Sequence, residues 1–187
     1  MTGRNPLTLG WLASLAALAP VGIVVATEYL SVEEAQRALF PQADHFGELV
    51  LALSATQRAQ VAALAGPQPP HRSLRAWKAL RGTQLVGYVF VDEVIGKEDF
   101  ITYATGIDPE GKVRGVEVLA YRESHGGEIR SAAWRGQFVG RKGVEELRIP
   151  ADIKNIAGAT LSCEHVTEGV RWLVALFDVA LRPAAAS

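Results

Sequence analysis

The chain has 187 residues, 49% of them hydrophobic and 21% charged, with 19 Lys and Arg against 20 Asp and Glu for a formal net charge of −1. That balance fits a globular core rather than a disordered chain, and it gives no basic surface for nucleic acid. The single cysteine, Cys163, excludes an internal disulfide, a Cys-x-x-Cys zinc site and a Cys-x-x-Cys-His haem attachment, and His45, His71, His125 and His165 lie far apart without metal-ligand spacing.

Leu7 to Ala26 contains no charged residue, and Arg4 stands before it. About 20 apolar residues can span a bilayer. The same stretch reads as a secretory signal, with an apolar region from Leu7 to Leu18, a helix break at Pro20 and Gly22, and small residues near Val24-Val25-Ala26 for cleavage. Residues 1–27 are therefore expected to be a signal peptide or a membrane anchor. The positive N-terminus stays inside, which puts the rest at the periplasmic or extracytoplasmic face of the inner membrane.

Ser31-Val32-Glu33-Glu34 is a capping box opening a helix from Val32 to Leu39, and Pro41 ends it. Ser54-Ala55-Thr56-Gln57 is a second box, with a helix from Ala55 to Leu64 stopped at Gly66. A stiff Gly/Pro-rich loop, 66–70, follows, so residues 28–73 read as an N-terminal helical region. Strands are expected at Leu85–Val94, Phe100–Ile107 and Lys112–Tyr121. The last two flank a turn at Asp108-Pro109-Glu110-Gly111, with a bulge suggested at Gly115. Arg130 to Phe138 reads as a short helix, and Val144 to Ile149 as one more strand or an irregular approach. The last helix, from about Cys163 to Leu181, carries Val166, Val170, Leu173, Val174, Phe177 and Leu181 as an apolar stripe; Pro183 ends it. The fold class is α+β: helices first, an antiparallel sheet, then an amphipathic closing helix.

The most informative stretch is Asn155-Ile156-Ala157-Gly158-Ala159-Thr160-Leu161-Ser162-Cys163. Three small residues lead to a hydroxyl just where a helix begins. Gly158, Ala157 and Ala159 allow close approach of another active site, and Thr160 offers an alcohol as phosphoryl acceptor. First-turn amides and the helix dipole can then hold phosphate oxygens. The dipole supplies only about 0.3–1 kcal/mol, so retention would need the covalent bond. The plain alternative is that Thr160 is an ordinary N-cap. Ser162 is read as the cap in preference to a second attachment site. Cys163 falls at the helix start, where thiol pKa values tend to drop, though packing filler is its expected role.

Asp152, then Gly158-Ala159-Thr160, then Ser162 and a long amphipathic helix resembles the flavinylation motif of the FMN-binding domain family. That family includes subunits of the sodium-pumping quinone reductase, of the Rnf complex, and a domain of nitrous-oxide-reduction regulators. The resemblance covers Leu74 to Leu181, giving an expected FMN-binding domain at 74–182. It implies covalent FMN on Thr160, installed from FAD by a dedicated flavin transferase. Gly158, Ala159, Leu161 and Ser162 would surround the attachment point. The hairpin ITYATGIDPEGKVRGVEVLAYRES resembles the family's sheet, which leads to a Glu-bearing loop beside the flavin; here Glu123, His125 and Gly126 occupy it. Tyr121, Trp134 and Phe138 are candidates for ring stacking, with burial in the core as their commoner use. The chain departs from the family at Ala157, usually Ser or Thr, and at His125-Gly126-Gly127-Glu128, often Pro-Gly-Leu-Gly. The resemblance implies an electron carrier without a substrate of its own, serving a membrane redox protein or cytochrome. The rival is a membrane-tethered binding or sensory module of the same fold without flavin. A noncovalent flavin reductase is a third option, though no Gly-x-Gly-x-x-Gly fingerprint is present.

Overall fold

A computed structural model describes residues 27–67, 73–123 and 126–182. Residues 1–26 of the expected signal or anchor segment, and His125, lie outside the described residues, while its last residue, Thr27, opens the first strand. Among the described residues no helix is long and apolar enough to cross a membrane.

The fold is α+β, built on a six-stranded antiparallel sheet. Its strands are β1 (Thr27–Glu28), β2 (His45–Glu48), β3 (Arg75–Arg81), β4 (Gln84–Ile95), β5 (Phe100–Ile107) and β6 (Val113–Tyr121), in spatial order β1-β6-β5-β4-β3-β2. Strands β2 to β6 form a meander, and β1 closes the far edge on β6. The expected β5 matches residue for residue. The bulge at Gly115 is present: Gly106 pairs with Gly115 but Ile107 with Val113, leaving Arg114 as the extra residue.

Both capping boxes form. The helix α1 (Val32–Leu39) starts with Ser31 and Glu34 exchanging bonds, and α2 (Ala55–Ala65) with Ser54 and Gln57 doing the same. Two expectations are corrected, and one pair of alternatives is resolved. Arg130–Phe138 is not one helix: a 3-10 turn at Gly127–Arg130, the single turn α3 (Ala132–Arg135) and a 3-10 turn at Gly136–Phe138 follow one another. Of the two alternatives for Val144–Ile149, the irregular approach holds, with a 3-10 turn at Val144–Glu146 and no strand. The closing helix α4 (Thr160–Leu176) begins three residues before Cys163 and ends in a wider π-turn at Phe177–Leu181.

The core lies on both faces of the sheet. On β4, Tyr88, Phe90 and Val94 face α4, while Val89 and Val91 face α1, so the strand reads as a continuous apolar run. The α4 stripe is seated as expected: Val166, Val170, Leu173, Val174 and Phe177 are fully buried. Each such side chain contributes roughly 1.5–3 kcal/mol by leaving water. Phe177 meets Tyr88 edge-on, with ring centroids 5.7 Å apart. A polar pair sits within this apolar layer. The Tyr103 hydroxyl donates to Asp92 Oδ2 at 2.8 Å, and both residues are fully buried. The backbone of α4 passes directly above at Gly169, where a Cβ would lie 2.1 Å from the Tyr103 hydroxyl oxygen. This close seating fixes α4, and with it the position of its first turn.

Candidate functional site

Thr160 is the first residue of α4 and its side chain is exposed. The N-cap is Ala159, which makes no side-chain cap bond. The expectation that Ser162 caps the helix is corrected. Ser162 lies inside the first turn, buried, with its Oγ 3.1 Å from the Tyr121 hydroxyl. The first α-helical bond runs from the Cys163 N–H to the Ala159 carbonyl at 2.9 Å. The amides of Thr160, Leu161 and Ser162 therefore have no acceptor within the helix and project beyond its end. Gly158 has φ +85° and open space around its missing Cβ, so glycine is required there by the backbone turn.

The loop that delivers Thr160 is braced from behind. Lys154 is held on both backbone groups: its N–H donates to Gln137 Oε1 at 2.8 Å, and its carbonyl accepts from Trp134 Nε1 at 2.9 Å. Arg141 donates to the Asp152 carbonyl at 3.2 Å. Asp152 accepts from the Arg148 guanidinium at 2.8 Å and from its N–H at 3.1 Å, and these bonds hold the carboxyl below the usual range. Asp152 thus orders residues 148–152. Trp134 and Phe138 are core residues, packed edge-to-face at 5.1 Å. Tyr121 is likewise buried, and burial raises its pKa.

In front of Thr160 lies an open cleft of about 580 Å³. One wall is residues 157–162. The β4–β5 turn, with Lys97 and Glu98, and the segment after β6, with Glu123, Gly126 and Glu128, line the rest of it among the described residues. All the described residues expected around the cofactor are brought together here: Gly158, Ala159, Thr160, Leu161, Ser162, Glu123 and Gly126 all line it. Gly126 has φ +87°, and a Cβ there would lie 2.6 Å from the Tyr121 hydroxyl and 3.1 Å from the Ala159 Cβ. The loop after β6 therefore rests on the end of α4 at van der Waals distance. Glu123 Oε1 accepts the N–H groups of Glu98 at 2.7 Å and Asp99 at 3.0 Å.

Cys163 is buried beneath the first turn, and desolvation raises its thiol pKa. The shift is opposite to the tendency at a helix start, with burial as its largest cause, and the expected role of Cys163 as packing filler under the helix is met. Lys97, Glu98 and Glu128 are site residues that sequence reading missed. A turn at Gly96-Lys97-Glu98-Asp99 was legible, but its proximity to Thr160 comes from the fold. Among the described residues no group of three His, Cys, Asp or Glu could hold a metal ion.

The uncapped N-terminus of α4 lines the open cleft with free first-turn N–H groups that are able to accept an anion, and Thr160 places an exposed alcohol beside them. Residues 96–175 match the family model described as FMN-binding domain. The match begins at the β4–β5 turn and ends within α4, so it contains the described residues that line the cleft. No curated protein matches it.

Proposed function

We propose that Thr160 carries FMN through a phosphoester and that the protein is an extracytoplasmic electron carrier. The observation that supports this best is the state of Thr160: exposed, first in its helix, on the cleft, and engaged in no capping bond. The residues present fit the group. The cleft volume falls within the roughly 300–1,000 Å³ of ordinary cofactor sites. The first-turn amides and the dipole suit a phosphate.

Attachment requires Thr160 Oγ1 to form a bond to the flavin-side phosphorus of FAD. The pyrophosphate P–O bond breaks, AMP leaves, and the hydroxyl proton passes to a base on the flavin transferase. Gly158 and the small neighbours give that enzyme access to the hydroxyl. Once bound, FMN supplies the redox chemistry; the chain supplies the tether, the orientation and the charge around it. Residues 7–26, free of charge behind Arg4, support export or anchoring, and a covalent tether retains a cofactor where free FMN would diffuse away. A membrane redox protein or cytochrome is the proposed electron partner.

The test is the intact mass of protein co-expressed with a flavin transferase, together with in-gel fluorescence after denaturation. The native chain should carry one FMN phosphoester, and Thr160→Ala should carry none. Bare polypeptide mass in the native chain, or flavin surviving denaturation in Thr160→Ala, overturns the proposal. The first outcome favours a binding module that uses the same fold without flavin.

A further inference from the structure

The chain enters the sheet at the end that carries the cleft. Thr27 opens β1 and pairs with Tyr121, the last residue of β6, and Glu28 pairs with Ala120. Tyr121 also pairs with Ile101, beside the β4–β5 turn, and its hydroxyl lies 3.1 Å from Ser162 Oγ in the first turn of α4. The start of β1, the β4–β5 turn, the segment after β6 and Thr160 therefore share one end of the domain. The β5–β6 turn at Asp108–Gly111 is at the other end, the length of β6 away, roughly 25 Å.

Directly before Thr27 stands the uncharged apolar segment from Leu7 to Ala26. A helix of about 20 residues spans the roughly 30 Å hydrocarbon core and leaves no length over. No polar linker separates that segment from β1, and consecutive Cα atoms are only about 3.8 Å apart. A domain joined to a membrane span in this way starts its first strand at the lipid headgroups. The same end also presents apolar side chains. Ile95 and Phe100 pair across the base of the β4–β5 turn, 53% and 38% exposed, and Leu161, 43% exposed, lines the cleft. Lys97 is exposed on the turn between the first two. The acidic groups at this end, Glu98, Glu123 and Glu128, line the cleft. Apolar groups gathered at one exposed end, with a cation among them, suit a lipid interface.

From this geometry we infer that residues 7–26 stay attached as an anchor and that the cleft end of the domain lies against the lipid surface. The inference rests on the proposed export and sharpens it. FMN on Thr160 then sits beside the bilayer, within reach of a redox partner embedded in it.

The test uses the full chain in vesicles of phosphatidylethanolamine and phosphatidylglycerol that contain a lipid with a nitroxide on its headgroup. A fluorophore is attached either at Lys97→Cys, on the β4–β5 turn, or at Glu110→Cys, on the β5–β6 turn; Cys163 is buried and takes no label. Nitroxide quenching is short-ranged and the two turns are a strand length apart, so the Lys97→Cys label should be quenched on the order of threefold more strongly. The intact mass of the same material should include residues 7–26. Equal quenching at the two positions, or stronger quenching at Glu110→Cys, overturns the inference. A mature chain that starts near Thr27 overturns it too, while leaving export and flavin attachment standing. Should Lys97→Cys not fold, Phe100→Cys reports on the same end and must show the same excess over Glu110→Cys. A native chain without flavin refutes the attachment alone, and the quenching comparison in that chain still decides the orientation.

Discussion

Gly169→Ala is the substitution for which helix propensity and tertiary packing predict opposite signs. Gly169 lies inside α4. On propensity alone, alanine there stabilises by about 1 kcal/mol. The structure places the new methyl 2.1 Å from the Tyr103 hydroxyl, 3.0 Å from Tyr103 Cζ and 3.1 Å from Val94 Cγ1. Overpacking of a core costs roughly 1–3 kcal/mol. Moving the Tyr103 hydroxyl also weakens its bond to the buried Asp92 carboxylate, and a bond to a charged group contributes about 1.5–3 kcal/mol. Net destabilisation of about 2–4 kcal/mol is expected once the propensity gain is subtracted. With a urea m-value of about 2 kcal/mol/M, the unfolding midpoint falls by roughly 1–2 M. Gly136→Ala is the control: its backbone is right-handed helical and nothing lies within 4 Å of the added Cβ, so it should be neutral or slightly stabilising. Tyr103→Phe removes the atom that clashes. In a double-mutant cycle, Gly169→Ala should therefore cost at least about 1 kcal/mol less in the Tyr103→Phe background. A Gly169→Ala protein with an unchanged or raised midpoint refutes the argument that α4 is seated by this contact.

Three further outcomes are expected. Gly126→Ala puts a side chain at φ +87° and 2.6 Å from the Tyr121 hydroxyl; it should lose about 2–4 kcal/mol from strain plus overlap and carry less flavin after co-expression, read by unfolding and by absorbance. Thr105 is fully buried and its hydroxyl has no hydrogen-bond partner; Thr105→Val should be neutral or stabilising by up to about 1–2 kcal/mol, and clear destabilisation in thermal melts would count against an unsatisfied hydroxyl. Burial raises the pKa of Cys163 from an ordinary 9.0, and of Tyr88 and Tyr121 from 10.0. The unfolded chain ionises first, so the stability these groups contribute is complete below about pH 9 and is lost as pH climbs past about 9 and 10. Urea midpoints that stay flat to about pH 11 would contradict that reading.

Local signals were enough where structure depends on neighbours in the chain. Ser31 and Ser54 each bond three residues ahead, and both helices start where those boxes predict. The β5–β6 hairpin follows from its strand formers around Asp108 to Gly111, and the apolar stripe of α4 from helical spacing. Thr160 was legible for the same reason, since small residues before a periodic helix mark an exposed helix start. What the sequence concealed depends on partners far along the chain. In β3 only Ala76 and Ala79 are buried, and alanine is a poor strand former, so that strand forms because β4 and β2 pair with it. Ser162 reads as a cap until Tyr121, 41 residues earlier, takes its hydroxyl. The raised Cys163 pKa requires knowing that the first turn of α4 is buried on that side. The part of the cleft lined by Lys97, Glu98 and Glu123 exists only after the sheet has aligned the β4–β5 turn with the end of β6, where Glu123 takes the Glu98 and Asp99 amides. The sequence by itself determined the helix that presents the alcohol. Only the packing of α4 against the sheet decided what that alcohol faces, because side-chain contacts across 24 to 41 residues leave no periodic trace.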